Sequence, residues 1–154
     1  GEGSTFWFSI PLKVGNHRTE TLFETEISPA QQLDLSGKKI LVVEDVDTNY
    51  FYISSLLKKL NGNIIRAGDG LIAIDICKND PFINLVLMDI ELPVMDGYTA
   101  TREIKKIRPG LPVIAQTAFA MMGEREKSME AGCDDYIAKP IRKEILLEII
   151  SKFI

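Results

Sequence analysis

Three carboxylates, a hydroxyl and an amine stand where short apolar runs end in this 154-residue chain. Glu44 and Asp45 follow the run Lys39 to Val43. Asp89 lies near the end of Asn84 to Ile90, with Glu91 two residues on. Thr117 lies near the end of Pro112 to Ala118, and Lys139-Pro140 follows Asp135 to Ala138. Gathered at one place, such acids need a counter-charge, because two carboxylates about 4 Å apart repel by about 4 kcal/mol at an effective dielectric near 20. A bound cation supplies it, and an all-oxygen ligand set suits Mg²⁺, which keeps several waters and accepts phosphate oxygens. Lys139 adds a further positive charge. A carboxylate beside a divalent metal, a lysine and a hydroxyl can attack phosphorus while the positive groups neutralise the phosphoryl oxygens. The product would be an acyl phosphate on Asp89, hydrogen-bonded by the Thr117 hydroxyl.

That chemistry requires a scaffold that brings the ends of several apolar runs together. Residues 38–154 supply a regular alternation. Lys39 to Val43 reads as a buried strand. Tyr50, Ile53, Leu57 and Leu60 then recur at helical spacing, and Asn61-Gly62 ends that helix. Asn63 to Ala67 is a second strand, Leu71 to Lys78 a second helix, and Asn84 to Ile90 the third and most apolar strand. Tyr98 to Ile107 is a helix, Pro112 to Ala118 a strand, and Met122 to Ala131 a more polar helix with Gly132 at its C-terminus. Asp135 to Ala138 is a fifth strand and Arg142 to Phe153 the last helix. Five nearly continuous apolar strands alternating with helices predict an α/β fold: a doubly wound, five-stranded parallel sheet with helices on both faces and right-handed crossovers. In such sheets ligands bind at the carboxyl ends of the strands.

Composition narrows the function classes. Hydrophobic residues make up 45% and charged residues 26% of the chain, which excludes a disordered segment and a coiled coil. No apolar run approaches the ~20 residues needed to span a bilayer, and nothing marks secretion. The net charge of −4 offers no general basic field for nucleic acid. Cys77 and Cys133 lack metal-ligand spacing and read as reduced, partly buried thiols of a cytoplasmic protein. His17 reads as a solvated loop residue. Asp47 suits a helix N-cap, Asp69 a turn, Asp96-Gly97 a turn launching a helix, and Asp134-Asp135 the start of a strand.

Residues 38–154 resemble a receiver domain of two-component response regulators. The resemblance rests on the acidic pair after strand one, the run Met88-Asp-Ile-Glu-Leu-Pro-Val-Met-Asp-Gly97, Thr117-Ala118, and Tyr136-Ile-Ala-Lys139-Pro140. It implies the flavodoxin-like strand order 2-1-3-4-5. It implies that Asp89 is the phosphoacceptor and that Glu44 and Asp45 organise Mg²⁺, with Asp89 and the main-chain carbonyl of Glu91 completing the protein ligands. Thr117 and Tyr136 become a switch pair, Lys139 contacts the phosphoryl group, and Lys139-Pro140 is expected to be cis. Glu91 and Phe119 occupy positions that tune dephosphorylation in the family. Val46 replaces an asparagine common in relatives.

Residues 1–12, Gly-Glu-Gly-Ser-Thr-Phe-Trp-Phe-Ser-Ile-Pro-Leu, resemble the end of a histidine-kinase ATP-binding domain. Residues 13–37 then read as a linker. Trp7 and Phe8 would be orphaned core residues. The combination implies a piece of a hybrid sensor histidine kinase, itself lacking kinase activity, with a parent anchored to a membrane or free in the cytoplasm. Expected partners are a histidine kinase dimerisation domain, a histidine phosphotransfer domain, or a second copy of the chain; neither nucleic acid nor a membrane is expected to contact it directly. The domain would be at most a weak self-phosphatase.

Two other classes share parts of this pattern. A haloacid-dehalogenase-type phosphohydrolase needs a second aspartate two residues after its nucleophile, where this chain has Glu91. A non-catalytic module of the same fold would be a flavodoxin-like or degenerate receiver. A flavodoxin needs a hydroxyl-rich loop after strand one, where Glu44-Asp45 would repel phosphate. A degenerate receiver is expected to have lost an acid or the lysine, and none is lost.

Overall fold

The computed structural model describes residues 33–118 and 122–154, with side chains described to 118 and from 125. Among the described residues five strands alternate with five helices: β1 Lys39–Val43, α1 Asp47–Lys58, β2 Asn63–Ala67, α2 Gly70–Asn79, β3 Ile83–Asp89, α3 Gly97–Ile107, β4 Val113–Thr117, α4 Met122–Glu130, β5 Asp135–Ala138 and α5 Lys143–Ser151. All neighbouring strands are parallel and their order is β2-β1-β3-β4-β5. The alternation read from sequence therefore holds, with ends shifted by a residue or two. The first helix stops before Leu60, because the chain turns through Asn61 at a positive φ of 65° and Gly62 donates back to Leu57.

Side-chain alternation divides the core into two clusters. Ile40, Val42, Leu85, Leu87, Ile114 and Ile137 face α1 and α5, where Ile53, Leu57, Leu146 and Ile150 cover them. Leu41, Val43, Val86, Met88, Val113 and Ala115 face the other side, against Ala73, Cys77, Ala100 and Ile104. Leu35, on the linker side of the boundary expected at residue 37, is fully buried in the first cluster, and its amide donates to the Leu60 carbonyl at 2.7 Å. Leu33 packs against the same cluster two residues earlier, but the Leu33-Asp-Leu35 alternation is too short to mark a strand or a helix.

The helix starts use the short polar residues differently than expected in two cases, Asp69 and Asp47. Asp69 caps α2 by accepting from the Ile72 amide, and Asp96 caps α3 by accepting from the Thr99 amide, each at 2.9 Å. Asp47 is not the N-cap of α1: Val46 holds that position without a side-chain bond, and Asp47 pairs with Arg66. Asp134 does more than begin β5; it accepts from the Val113 amide and the Lys105 ammonium, both at 2.7 Å. Gly132 at φ 94° closes α4 as expected. Cys77 and Cys133 are both buried, and burial pushes each thiol up to about 11, which leaves them as inert core residues.

Gln116 breaks the apolar pattern of β4. It is fully buried on the face of Ile114, and neither atom of its amide has a hydrogen-bond partner among the described residues. An unsatisfied buried amide costs about 1–3 kcal/mol. Gln116→Leu, which replaces the orphaned amide with apolar atoms, is expected to raise stability by about 1–3 kcal/mol in urea unfolding. A lowered midpoint would mean that the amide has a partner.

Candidate functional site at the carboxyl edge of the sheet

Parallel register aligns the strand ends, and the alignment assembles the site. Val43 is level with Met88, so Glu44 follows beside Asp89. Asp89 is level with Gln116, and Thr117 with Ala138. The Glu44 amide continues the ladder to the Ala67 carbonyl, and the Lys139 amide continues it to Thr117 at 2.7 Å. By alternation Glu44, Asp89 and Lys139 project on the α1/α5 face, while Thr117 shares the face of Val113 and Ala115. Tyr136 is half-buried and packs on that second cluster as well. The proposed switch residues thus lie on one side of the sheet and the charged groups on the other.

The charged group is tightly bonded. Lys139 Nζ lies 2.5 Å from Asp89 Oδ2 and 3.1 Å from Glu44 Oε2. Glu44 Oε1 accepts from the Val46 amide at 3.2 Å and from Asn49 Nδ2 at 3.1 Å. Asp89 Oδ1 accepts from the Glu91 amide at 3.1 Å. Glu44 is fully buried, Asp89 is 3% exposed, and Asp45 is open to solvent. Oxygens of Glu44, Asp45 and Asp89 all lie within 4.8 Å of one another. The Glu91 carboxylate is outside this group, and the atom assigned to it by resemblance is its carbonyl. Lys139-Pro140 is cis.

Electrostatics follows from burial. Burial pushes the Asp89 carboxyl above its ordinary value, and the Lys139 ammonium and the Glu91 amide only partly offset this. Burial alone would lower Lys139, yet its bonds to Asp89 and Glu44 outweigh that and hold its pKa above the ordinary lysine value. Among the described residues three carboxylates face one ammonium, so full ionisation leaves two of these negative charges uncompensated there. A donor set of carboxylate oxygens with that charge fits a hard divalent cation such as Mg²⁺.

The contacts of two neighbours carry no sign in the sequence, where Gly97 reads only as part of a turn and the resemblance motif. Asn49 binds Glu44 from the first turn of α1, a role a lone asparagine does not advertise. Gly97 backs Asp89: a Cβ there would overlap the Asp89 carbonyl oxygen and lie 2.9 Å from Ile90 Cα. In the intervening loop Val94 holds φ 65°, and the Met95 amide reaches the Pro93 carbonyl at 2.7 Å. A β-branched residue there stores strain of about 1–3 kcal/mol. Val94 is 81% exposed, so Val94→Gly loses little packing and is expected to raise stability by about 1 kcal/mol, read as a shift in thermal midpoint. An unchanged or lowered midpoint would contradict the strain. Phe119 and Met121 lie outside the described residues, as do Trp7, Phe8 and His17, and the Met122 side chain is not described.

The model of the response regulator receiver domain matches residues 40–151. Hybrid signal transduction histidine kinase I of Dictyostelium discoideum is 36% identical over 93% of this chain and 9% of that kinase. Autoinducer 2 sensor kinase/phosphatase LuxQ of Vibrio vulnificus is 35% identical over 99% of this chain and 18% of its own length. The chain therefore spans less than a fifth of these relatives. Among solved structures, the receiver domain of a sensor histidine kinase from Pseudomonas aeruginosa, with magnesium coordinated in its active-site cleft, matches with TM-score 0.71 and 38% identity, over 77% of this chain and 98% of that one. The receiver domain of Ssk1 from Saccharomyces cerevisiae, crystallised with the histidine phosphotransfer protein Ypd1, is in a complex that matches with TM-score 0.72 and 26% identity, over 75% of this chain and 88% of that one. With its acids, lysine and hydroxyl aligned at one sheet edge, this chain belongs to the response regulator receiver domain family.

Proposed function

We propose that the chain is a phosphoacceptor relay domain in which Asp89 takes a phosphoryl group from a phosphohistidine. The observation that carries this reading is the Asp89 carboxylate, nearly buried, held from one side by the Glu91 amide and from the other by Lys139. An Asp89 oxygen forms a bond to phosphorus as the bond from phosphorus to the histidine nitrogen breaks, and the donor imidazole leaves with the electron pair. The product is an aspartyl phosphate and a histidine.

The residues divide the work. The Glu91 amide orients the acceptor so that its carboxylate need not reorganise during attack. Lys139 moves its charge toward the incoming phosphoryl oxygens from a position already 2.5 Å from the acceptor. Glu44, Asp45, Asp89 and the Glu91 carbonyl would hold Mg²⁺, which when bound supplies positive charge to the transferring group. Thr117, buried at the end of β4, offers its hydroxyl to the bound phosphoryl group. Burial around Asp89 limits water and favours a slowly hydrolysing acyl phosphate. Thr117 and Tyr136 then bias the loops around them between two states.

As a piece of a hybrid sensor histidine kinase, the domain would receive the group from a kinase dimerisation domain or exchange it with a histidine phosphotransfer domain. The first reading is supported by relatives named as hybrid and sensor kinases, and the second by the Ypd1 complex. Residues 1–12 as a kinase remnant and 13–37 as a linker belong to the same reading. The test is transfer of labelled phosphate from a phosphorylated histidine phosphotransfer protein in the presence of Mg²⁺. Label should move to the wild-type chain and not to Asp89→Asn. Equal labelling of both would refute Asp89 as the acceptor.

A further inference from the structure

Arg66 is a side chain that the chemistry above does not use, yet it makes four directed contacts. It sits in β2, level with Val42. Its Nε donates to the Glu44 carbonyl at 3.1 Å and its Nη2 to the Asp45 carbonyl at 3.0 Å. Its Nη1 lies 2.6 Å from Asp47 Oδ1, and its guanidinium stacks 4.7 Å from the centre of the Tyr50 ring. One planar group thereby grips the two consecutive peptides that carry the acidic pair, and ties them to the first turns of α1.

The loop needs such a grip from outside. Val46 gives α1 no side-chain cap, so the turn from β1 into the helix lacks the bond a short polar residue would provide. Glu44 Oε1 itself satisfies the Val46 amide, so the loop's own order depends on the orientation of a carboxylate assigned to the cation. Fixing the carbonyls of residues 44 and 45 removes the peptide rotations that would swing both carboxylates.

We propose that Arg66 is a positioning residue for the cation site, holding the Glu44–Asp45 backbone in the geometry that divalent metal binding needs. This rests on the reading that Glu44, Asp45 and Asp89 bind Mg²⁺. Groups that orient metal ligands are commonly worth 10–100-fold in affinity. Charge acts in the opposite direction. A guanidinium beside an acidic cluster repels a cation, although Asp47 answers much of that charge. Positioning and simple charge therefore give opposite signs when Arg66 is removed.

The experiment is calorimetric titration of Mg²⁺ into the wild-type chain, Arg66→Ala, Arg66→Lys and Asp47→Asn, at a temperature where circular dichroism shows every protein folded. Amide hydrogen exchange at residues 44–47 is read in parallel. Lysine keeps the charge but cannot bridge two carbonyls and a carboxylate in one plane. The expected result is Mg²⁺ affinity lower by about tenfold or more in both Arg66 variants, with faster exchange confined to residues 44–47. Asp47→Asn should weaken affinity less, because the two carbonyl bonds survive. Wild-type affinity in Arg66→Lys, or tighter binding in Arg66→Ala, would overturn the proposal in favour of charge alone. Lower melting points with unchanged affinity would overturn it in favour of a brace for the fold. If the wild-type chain itself binds no Mg²⁺, the cation reading fails, and this proposal fails with it.

Discussion

Lys139→Met is expected to destabilise the metal-free protein by about 3–5 kcal/mol near neutral pH, the usual scale for leaving buried charge without its partner. Glu44 is fully buried and Asp89 nearly so, and among the described residues one ammonium answers both. Methionine fills the space without the charge. Glu44 would keep Asn49 and the Val46 amide, and Asp89 the Glu91 amide, so the loss is chiefly electrostatic. The pH dependence has a definite sign. The folded pKa of Lys139 is raised, so its stabilisation is present below the ordinary lysine value near 10.4 and fades as pH rises through the higher folded value. In acid, protonation of Asp89, whose pKa burial already raises, relieves the variant. The gap between wild type and variant should therefore be widest near neutrality and narrow toward both ends. Urea midpoints across pH measure it, and millimolar Mg²⁺ should recover part of the loss by answering the same carboxylates. A variant as stable as wild type at neutral pH without metal would contradict this picture of the site.

The second large effect is expected at Gly97. Its missing Cβ leaves room for the Asp89 carbonyl, and an added methyl would meet backbone on the acceptor strand rather than a flexible side chain. Overpacking usually costs about 1–3 kcal/mol, and backbone that cannot move aside puts Gly97→Ala at or above about 3 kcal/mol. The folded fraction should also accept phosphate more slowly, because relief of the clash displaces Asp89. Denaturant unfolding and phosphorylation rate check the two parts. A stability within about 1 kcal/mol of wild type would mean that the loop from Ile90 to Asp96 shifts easily, and that Gly97 does not brace the acceptor.

These effects show which features could be read from residue order. The strands were visible because both faces of a parallel sheet are buried, so runs such as Ile40 to Val43 and Leu85 to Met88 are continuously apolar. Once the sheet is parallel, the residues at or just past the end of each run must lie at one edge, and Glu44, Asp89, Thr117 and Lys139 are legible by that rule. The supporting contacts obey no such rule. Arg66 reaches the acidic pair across a strand pairing, Asn49 reaches Glu44 from a helix, and Gly97 matters through an atom it lacks. Leu35 joins the core with Leu33 two residues before it, too short a pattern to read as an element. Asp47 looked like a cap because short acids often are one, but Arg66 drew it into an ion pair one residue inside the helix. Contacts of long sequence separation are set by register and shape, and single residues carry no local sign of them.

The most direct test of Asp89 as a metal-dependent phosphoacceptor is intact mass after incubation with acetyl phosphate and Mg²⁺. It is run beside Asp89→Ala and a chelated control. The expected result is a gain of one phosphoryl group in the wild-type chain with Mg²⁺ only, removed by hydroxylamine as an acyl phosphate requires. An unmodified wild-type chain, or the same gain in Asp89→Ala, would contradict the assignment and leave the buried acids and Lys139 as a structural cluster.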